Sequence, residues 1–94
     1  MSVTAVVLIK AQTQQIHPLA EALAELDGVA EVYSVAGRYD LVAIVRAARN
    51  EDIADIISQR MHQIPGIVAS ETLISFRVYR NSDVEAGFSL GLNE

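Results

Sequence analysis

One arrangement occurs twice along this chain and limits its fold more than any other feature. A run of β-branched residues is followed by an amphipathic helix, a tight turn and a second β-branched run. Leu26-Asp27-Gly28-Val29 ends the first helix and Ile64-Pro65-Gly66-Ile67 ends the second, since glycine and proline stop helices. The repeat predicts the order βαββαβ, an α+β fold of the ferredoxin-like type: a four-stranded antiparallel sheet with two helices on one face.

Hydrophobic periodicity assigns the individual elements. Strands are predicted at 3–10, 29–36, 41–47 and 70–79, and helices at about 15–26 and 51–63, with Asn50 as the N-cap of the second helix. We assign residues 1–79 to one ferredoxin-like domain and 80–94 to a C-terminal extension. Phe88, Leu90 and Leu92 alternate in that extension, which predicts a weak fifth strand or a flap that reaches a neighbouring subunit.

The sheet face without helices is the informative part of this architecture. Two helices cover only one face, yet all four strands are rich in valine, isoleucine and leucine. Their apolar content is too high for the second face to stay in water. We therefore expect a homo-oligomer, most simply a two-fold dimer in which two sheets face each other in a barrel-like α/β assembly.

Composition excludes several classes of function. The chain has no cysteine, so it has no disulfide, no thiolate nucleophile and no cysteine-containing zinc site, which favours a reducing cytoplasm. A net charge of −5 argues against direct nucleic-acid binding, because phosphate neutralisation needs basic residues. The apolar run at the N-terminus is too short for a signal peptide or a membrane span, so no membrane association is expected.

Catalytic and metal-binding patterns are not found. His17 and His62 are the only histidines and fall on different predicted helices, whereas metal sites need three or four convergent ligands. No serine has a histidine and an acid at a recognisable spacing. We expect two solvated histidines, no metal, no cofactor, no catalytic residue and therefore no enzyme.

The turn Gly37-Arg38-Tyr39-Asp40, leading into Leu41, is the first candidate binding site. Its composition also fits an ordinary hairpin turn, with glycine at positive φ and an aspartate bonded to backbone. A zwitterion site would instead use loop N–H groups for a carboxylate, Asp40 for an ammonium and the Tyr39 ring as cover. Arg38 would pair with a carboxylate or with an acidic residue of a neighbouring subunit.

Hydroxyl groups in the last predicted strand form a second candidate cluster. Ser70, Thr72 and Ser75 stand in an otherwise apolar run. They are either ordinary strand residues with satisfied hydroxyls or hydrogen-bonding groups for a small polar ligand at a subunit junction.

The stretch from Glu31 to Val42, together with Ile64-Pro65-Gly66-Ile67 and the run from Ser70 to Phe76, resembles the effector-binding RAM domain of the Lrp/AsnC (feast/famine) regulators. The resemblance covers about residues 3–79. The sequence shows no counterpart of the helix-turn-helix found in full-length members, so it is similar to the stand-alone members of the family. It implies dimers through the sheet faces, rings of dimers that are typically octamers, and an amino-acid effector bound between dimers. It also implies that Gly37 to Leu41 form one wall of that site.

Three functions remain open at this point. The first is an amino-acid sensor that regulates transcription indirectly, by assembly with itself or with full-length Lrp/AsnC regulators. The second is a ligand-independent oligomerisation module. The third is a small dimeric α/β-barrel enzyme, which would need a pocket lined by a histidine and an acid.

Overall fold

The computed structural model describes residues 2–79 and residue 81, so the extension predicted for 80–94 lies outside the described residues except for Asn81. The strands are β1 (Val3–Ala11), β2 (Val29–Ser34), β3 (Leu41–Ala47) and β4 (Ile67–Ile74). The helices are α1 (Ile16–Ala24), preceded by a 3₁₀ turn at Thr13–Gln15, and α2 (Asn50–Asp55), which continues as a π-helical turn (Ile56–Arg60) and a 3₁₀ turn (Met61–Gln63).

The four strands form one antiparallel sheet in the order β2-β3-β1-β4. This is the ferredoxin-like topology, so the predicted fold class and element order are confirmed. β1 and β3 lie in the centre, and β2 and β4 are the edges. Val7 faces Ala43 on one side and Thr72 on the other, and this register aligns the residues of all four strands on two faces.

One face of the sheet carries the whole core. Alternate residues of β1 and β3 are fully buried, and the helices add one apolar stripe each. The buried residues are Ala5, Val7, Ile9, Leu41, Ala43 and Val45 from the sheet, and Leu19, Leu23, Ile53, Ile56, Ile57 and Met61 from the helical segments. Because all six helical residues pack on the same side, the opposite side of the sheet has no cover among the described residues.

The second helix differs from the continuous helix predicted over 51–63. Its π and 3₁₀ turns follow a short α-helical part, and Ser58 Oγ donates to the Ala54 carbonyl at 2.6 Å. A hydroxyl that occupies this carbonyl competes with the regular backbone ladder, which favours a local change of helical pitch. The predicted N-cap was also wrong: Asn50 is the first helical residue, and Arg49 holds the cap position without a side-chain cap hydrogen bond.

The last strand begins and ends earlier than predicted. β4 covers Ile67–Ile74 instead of 70–79: its pairing with β1 runs from Ile67, opposite Ala11, to Ile74, opposite Ala5. The N–H of Ser75 still donates to the Thr4 carbonyl at 2.9 Å, and Phe76 is fully exposed. β2 likewise ends at Ser34 rather than at 36.

The two turns that form the sequence repeat have matching geometry. Gly28 and Gly66 both have positive φ, 93° and 110°, which favours glycine. The Gly28 carbonyl accepts the Arg46 N–H at 2.8 Å, and the Gly66 carbonyl accepts the Gln12 N–H at 2.9 Å. Each turn is thereby fixed to the end of a central strand. Within residues 2–79, no helix has the length and apolar character needed to cross a membrane.

Candidate functional site

Asp40 anchors the β2–β3 turn to β1. Its N–H donates to the Ile9 carbonyl at 2.8 Å, and its carboxylate oxygen Oδ2 accepts the Ala11 N–H at 2.8 Å. Its carbonyl also accepts the Val35 N–H at 3.0 Å, which closes the turn. The aspartate therefore has a structural role, as in an ordinary turn. Its second carboxylate oxygen, Oδ1, makes no hydrogen bond with the described part of the chain.

Tyr39 extends from the same turn to the edge strand β4. Its hydroxyl donates to Oε1 of Glu71 at 2.6 Å. This hydrogen bond, together with burial and the negative charge of Glu71, raises the pKa of the Tyr39 hydroxyl above its ordinary value of 10.0, and Arg38 opposes the shift. The Lys10 ammonium donates to the Arg38 carbonyl at 3.1 Å and holds the turn against β1.

The remaining turn residues differ in what they expose. Gly37 has a φ of 142°, and a Cβ built there meets no atom within 4 Å, so its backbone borders open space. Arg38 is exposed. Leu41 is completely buried in the core, where it contributes to packing and presents no side chain to the surface.

The three hydroxyl residues do not lie together. Ser70 pairs with Ile9 in the sheet, close to the Asp40 turn, and its Oγ lies 3.0 Å from His62 Nε2. Thr72 lines an apolar groove beneath α2, on the helix side of β4. Ser75 lies beyond β4, next to Thr4, at the opposite end of the sheet from the turn. Of the predicted cluster, only Ser70 approaches the turn within one subunit.

The helix-free face of the sheet is apolar at its centre. Val6 and Leu8 of β1 lie beside Val42 and Ile44 of β3, and all four are only half-buried. Tyr33 of β2 and Leu73 of β4 extend this surface and are 48% and 47% exposed. We refer to these six residues as the open sheet face. Tyr39 and Glu71 lie at one end of it.

Two cavities border β4. A groove of about 430 Å³ lies between the second helix and β4, and a smaller cleft of about 270 Å³ contains His62 and Ser70. The smaller cleft has no acidic lining residue, and His17 pairs at 3.4 Å with Glu21 on the exposed surface of α1. Among residues 2–79, no group of three or more side chains is arranged to hold a metal ion.

Sequence reasoning missed the partners that define the turn. Glu71 is 32 positions from Tyr39 and Ala11 is 29 from Asp40. Contacts at that separation leave no local periodicity. They arise because the register brings the ends of β1, β3 and β4 to the same edge of the sheet.

Comparison with known proteins identifies the family. The family model of the Lrp/AsnC ligand binding domain matches residues 4–84. The chain belongs to the Lrp/AsnC ligand-binding domain family. The resemblance found in the sequence is thereby confirmed.

Relatives of this Lrp/AsnC domain include longer proteins. An uncharacterised helix-turn-helix-type transcriptional regulator of Pyrococcus furiosus is 38% identical over 58 residues, which are 62% of this chain and 39% of that protein. The chain thus spans about two fifths of the length of that relative. A second relative, FL11 of Pyrococcus horikoshii, is also named a helix-turn-helix-type transcriptional regulator and is 26% identical over 86% of this chain and 53% of that protein.

Solved structures with the same fold include both short and long chains. The protein TTHA0845 of Thermus thermophilus is 46% identical, with a TM-score of 0.79 over 84% of this Lrp/AsnC domain and 99% of that chain. A feast or famine regulatory protein of Mycobacterium tuberculosis, solved as a complex with L-methionine, is 24% identical with a TM-score of 0.71, over 84% of this chain and 53% of that chain. The second likeness establishes a shared fold only.

Proposed function

We propose that this chain is an amino-acid-binding, oligomeric regulatory module that acts on transcription indirectly, through assembly with copies of itself or with full-length Lrp/AsnC regulators. The observation that carries the proposal is the open sheet face, with the Tyr39–Glu71 pair at its edge. A binding turn beside an apolar surface is what a ligand site shared between subunits requires.

The chemistry of this surface supports assembly. Its central residues come from the two middle strands, Tyr33 and Leu73 continue it to both edges, and Phe76, Val78 and Tyr79 are exposed just beyond β4. A second copy placed by a two-fold axis removes the same apolar area from water on both subunits. The dimer is thus the basic unit, and a ring of dimers, typically an octamer, is the proposed larger assembly.

The groups of the turn support an amino acid as the ligand. Oδ1 of Asp40 is available to an ammonium group, and Gly37 exposes backbone toward open space where a carboxylate can accept N–H groups. In this proposal the Tyr39 ring, from the same turn, covers the apolar side chain of the ligand. A free α-amino acid has this combination of groups. The M. tuberculosis protein that shares the fold binds L-methionine, which supports the same class of ligand.

Charge and relatives together favour an indirect action on transcription. The net charge of −5 disfavours direct contact with DNA, while the relatives are longer regulators of the helix-turn-helix type. Co-assembly through a shared interface would let this chain change the state of such a regulator. The amino acid would shift the equilibrium by binding one assembly more tightly than another.

The decisive experiment is calorimetric titration of the purified protein with each of the twenty amino acids, with light scattering of each mixture. We expect heat of binding for a subset of amino acids and a change of mass with the same subset. Binding without a change of mass would contradict regulation through assembly, and silence for all twenty would contradict a sensor.

A ligand-independent oligomerisation module is the second candidate. The Asp40 hydrogen bonds favour it, because the carboxylate already satisfies the Ala11 N–H and explains the turn without a ligand. This candidate predicts an oligomer whose mass is the same with and without every amino acid. The enzyme alternative has no such support, since neither histidine lines a cavity together with an acid in the described region.

A further inference from the structure

Among residues 2–79, β4 is an edge strand: in the sheet order β2-β3-β1-β4, β1 is the one strand of that range that pairs with it. Ser75 N–H donates to β1, and bonded positions alternate along an antiparallel pair. The N–H groups of Leu73 and Glu71 therefore point to β1, and those of Thr72 and Ile74 point to the open side. An unpaired edge of this kind accepts a further strand.

The apolar groove runs along this same open side. Its lining is Ile53, Ala54, Ile57, Asn50 and Ser58 from the helical segment, with Thr72 and Ile74 from β4. We call it the edge groove. It lies on the helix side of the sheet, so a partner on the open sheet face would not cover it. A strand added beside β4 would direct every second side chain into the edge groove.

The chain after Tyr79 has the matching pattern. Phe88, Leu90 and Leu92 alternate with Ser89 and Gly91, so an extended conformation puts the three apolar side chains on one face. The peptide from Tyr79 to Phe88 can span at most roughly 30 Å, about the length of β4, so the segment can return to the strand it follows.

We propose that residues 88–92 of the same chain add to β4 as an antiparallel fifth strand and place Phe88, Leu90 and Leu92 in the edge groove. The added strand pairs the outward N–H groups of Thr72 and Ile74. It fills the apolar groove and removes an edge that would otherwise pair with other chains. Ser89 and Gly91 face away from α2.

Disulfide trapping tests the contact, because the chain contains no cysteine of its own. Ala54→Cys combined with Leu90→Cys should form an intramolecular disulfide under mild oxidation. Each of two controls moves one of the two cysteines. Ala54→Cys with Ser89→Cys moves the second cysteine to the other face of the added strand. Gln59→Cys with Leu90→Cys moves the first cysteine to an exposed residue outside the edge groove. We expect the first pair to close at least ten-fold faster than either control.

Mass spectrometry and non-reducing gels distinguish the outcomes. A link within one chain supports the proposal. A disulfide-linked dimer specific to Ala54→Cys with Leu90→Cys would assign the segment to a neighbouring copy and overturn it. Equal rates for all three pairs would show that the segment does not dock in this register, and would also overturn it.

Amide hydrogen exchange gives a second readout without cysteines. The test uses the full chain with three substitutions combined, Phe88→Ser, Leu90→Ser and Leu92→Ser. In this triple variant the amide hydrogens of Thr72 and Ile74 should exchange at least ten-fold faster than in the unmodified protein. The Leu73 amide, which points to β1, serves as the internal control and should not change. Unchanged exchange at Thr72 and Ile74 would overturn the fifth strand.

Discussion

The Tyr39 hydroxyl donates a 2.6 Å hydrogen bond to Glu71 and so connects the β2–β3 turn to the edge strand β4 across the end of β1. The turn that carries the family resemblance is therefore part of the same surface as the open sheet face. A subunit that packs on that face comes close to Tyr39 and Asp40. The proposed ligand site at the turn and the proposed assembly surface on the sheet are adjacent for this reason.

The first prediction concerns the titration of Tyr39. Glu71 raises its pKa by accepting the hydroxyl hydrogen bond, so the folded protein favours the neutral phenol. The resulting stabilisation is complete below the unfolded-state pKa of 10.0 and is lost as the pH rises through the higher folded-state pKa. Glu71→Gln should lower the pKa of Tyr39 toward its ordinary value. Tyrosinate absorbance measures this pKa, and Tyr39→Phe identifies which part of the absorbance change belongs to Tyr39.

Tyr33 supplies the matched control for that titration. Its pKa is raised mainly by a hydrogen bond to Glu31. Glu31→Gln should lower the pKa of Tyr33 and leave that of Tyr39 unchanged. A Tyr39 pKa that is insensitive to Glu71→Gln would contradict the hydrogen bond in solution.

The second prediction concerns the open sheet face. Val42→Lys places a charge at its centre, beside Leu8 and Tyr33. Burying an unpaired charge costs about 3–5 kcal/mol, so the dimer should weaken by roughly 100-fold or more. Sedimentation equilibrium at micromolar concentration should give a dimer or larger assembly for the unmodified protein and monomer for the variant.

Gln59→Lys adds the same charge on an exposed residue away from that face and should leave the mass unchanged. Circular dichroism should show that both variants fold. If Val42→Lys sedimented like the unmodified protein, the dimer would have to use another surface.

The third prediction separates the two roles of Asp40. Asp40→Ala leaves the Ala11 N–H without its acceptor and should cost about 1–3 kcal/mol of unfolding free energy. Asp40→Asn keeps an acceptor oxygen but removes the charge, so it should be much less destabilised. Urea unfolding measures both variants.

Calorimetry with the amino acids that bind the unmodified protein then isolates the ligand role. Asp40→Asn should bind at least ten-fold more weakly, because the ammonium loses its charged acceptor. The mass in the absence of ligand should be retained. Equal affinity for Asp40→Asn and the unmodified protein would exclude Asp40 from the ligand site.

The fourth prediction concerns the turn before β2. At Gly28, positive φ and a Cβ that would overlap Ile56 both disfavour a side chain, so Gly28→Ala should destabilise the fold by about 1–3 kcal/mol. Ile56→Val removes the overlapping Cδ1 atom, and the double variant should recover part of that loss.

Gly37→Ala is the control for the fourth prediction, because its Cβ meets open space and only the positive φ is unfavourable. It should be less destabilising than Gly28→Ala in urea unfolding. If the losses of unfolding free energy from Gly28→Ala and Ile56→Val simply added in the double variant, a clash between the new Cβ and the Ile56 side chain would be contradicted.

The sequence by itself determined the element order, the fold class and the limits of β3, which were predicted at 41–47 and are found there. Each of these depends on local information: the spacing of apolar residues and the glycines at 28 and 66. The same information identified the turn at Gly37 as a special position.

The tertiary structure alone decided the limits of β4, the pitch of the second helix and the partners of the turn. The pairing of β4 with β1 ends at Ile74, opposite Ala5, and Ser75 adds one hydrogen bond to Thr4, although the alternation in the sequence continues to Tyr79. The bonds of Tyr39 to Glu71 and of Asp40 to Ala11 join distant parts of the chain. They follow from the register of β1 against β3 and β4, which is set by packing of the whole sheet and leaves no periodic trace in the sequence.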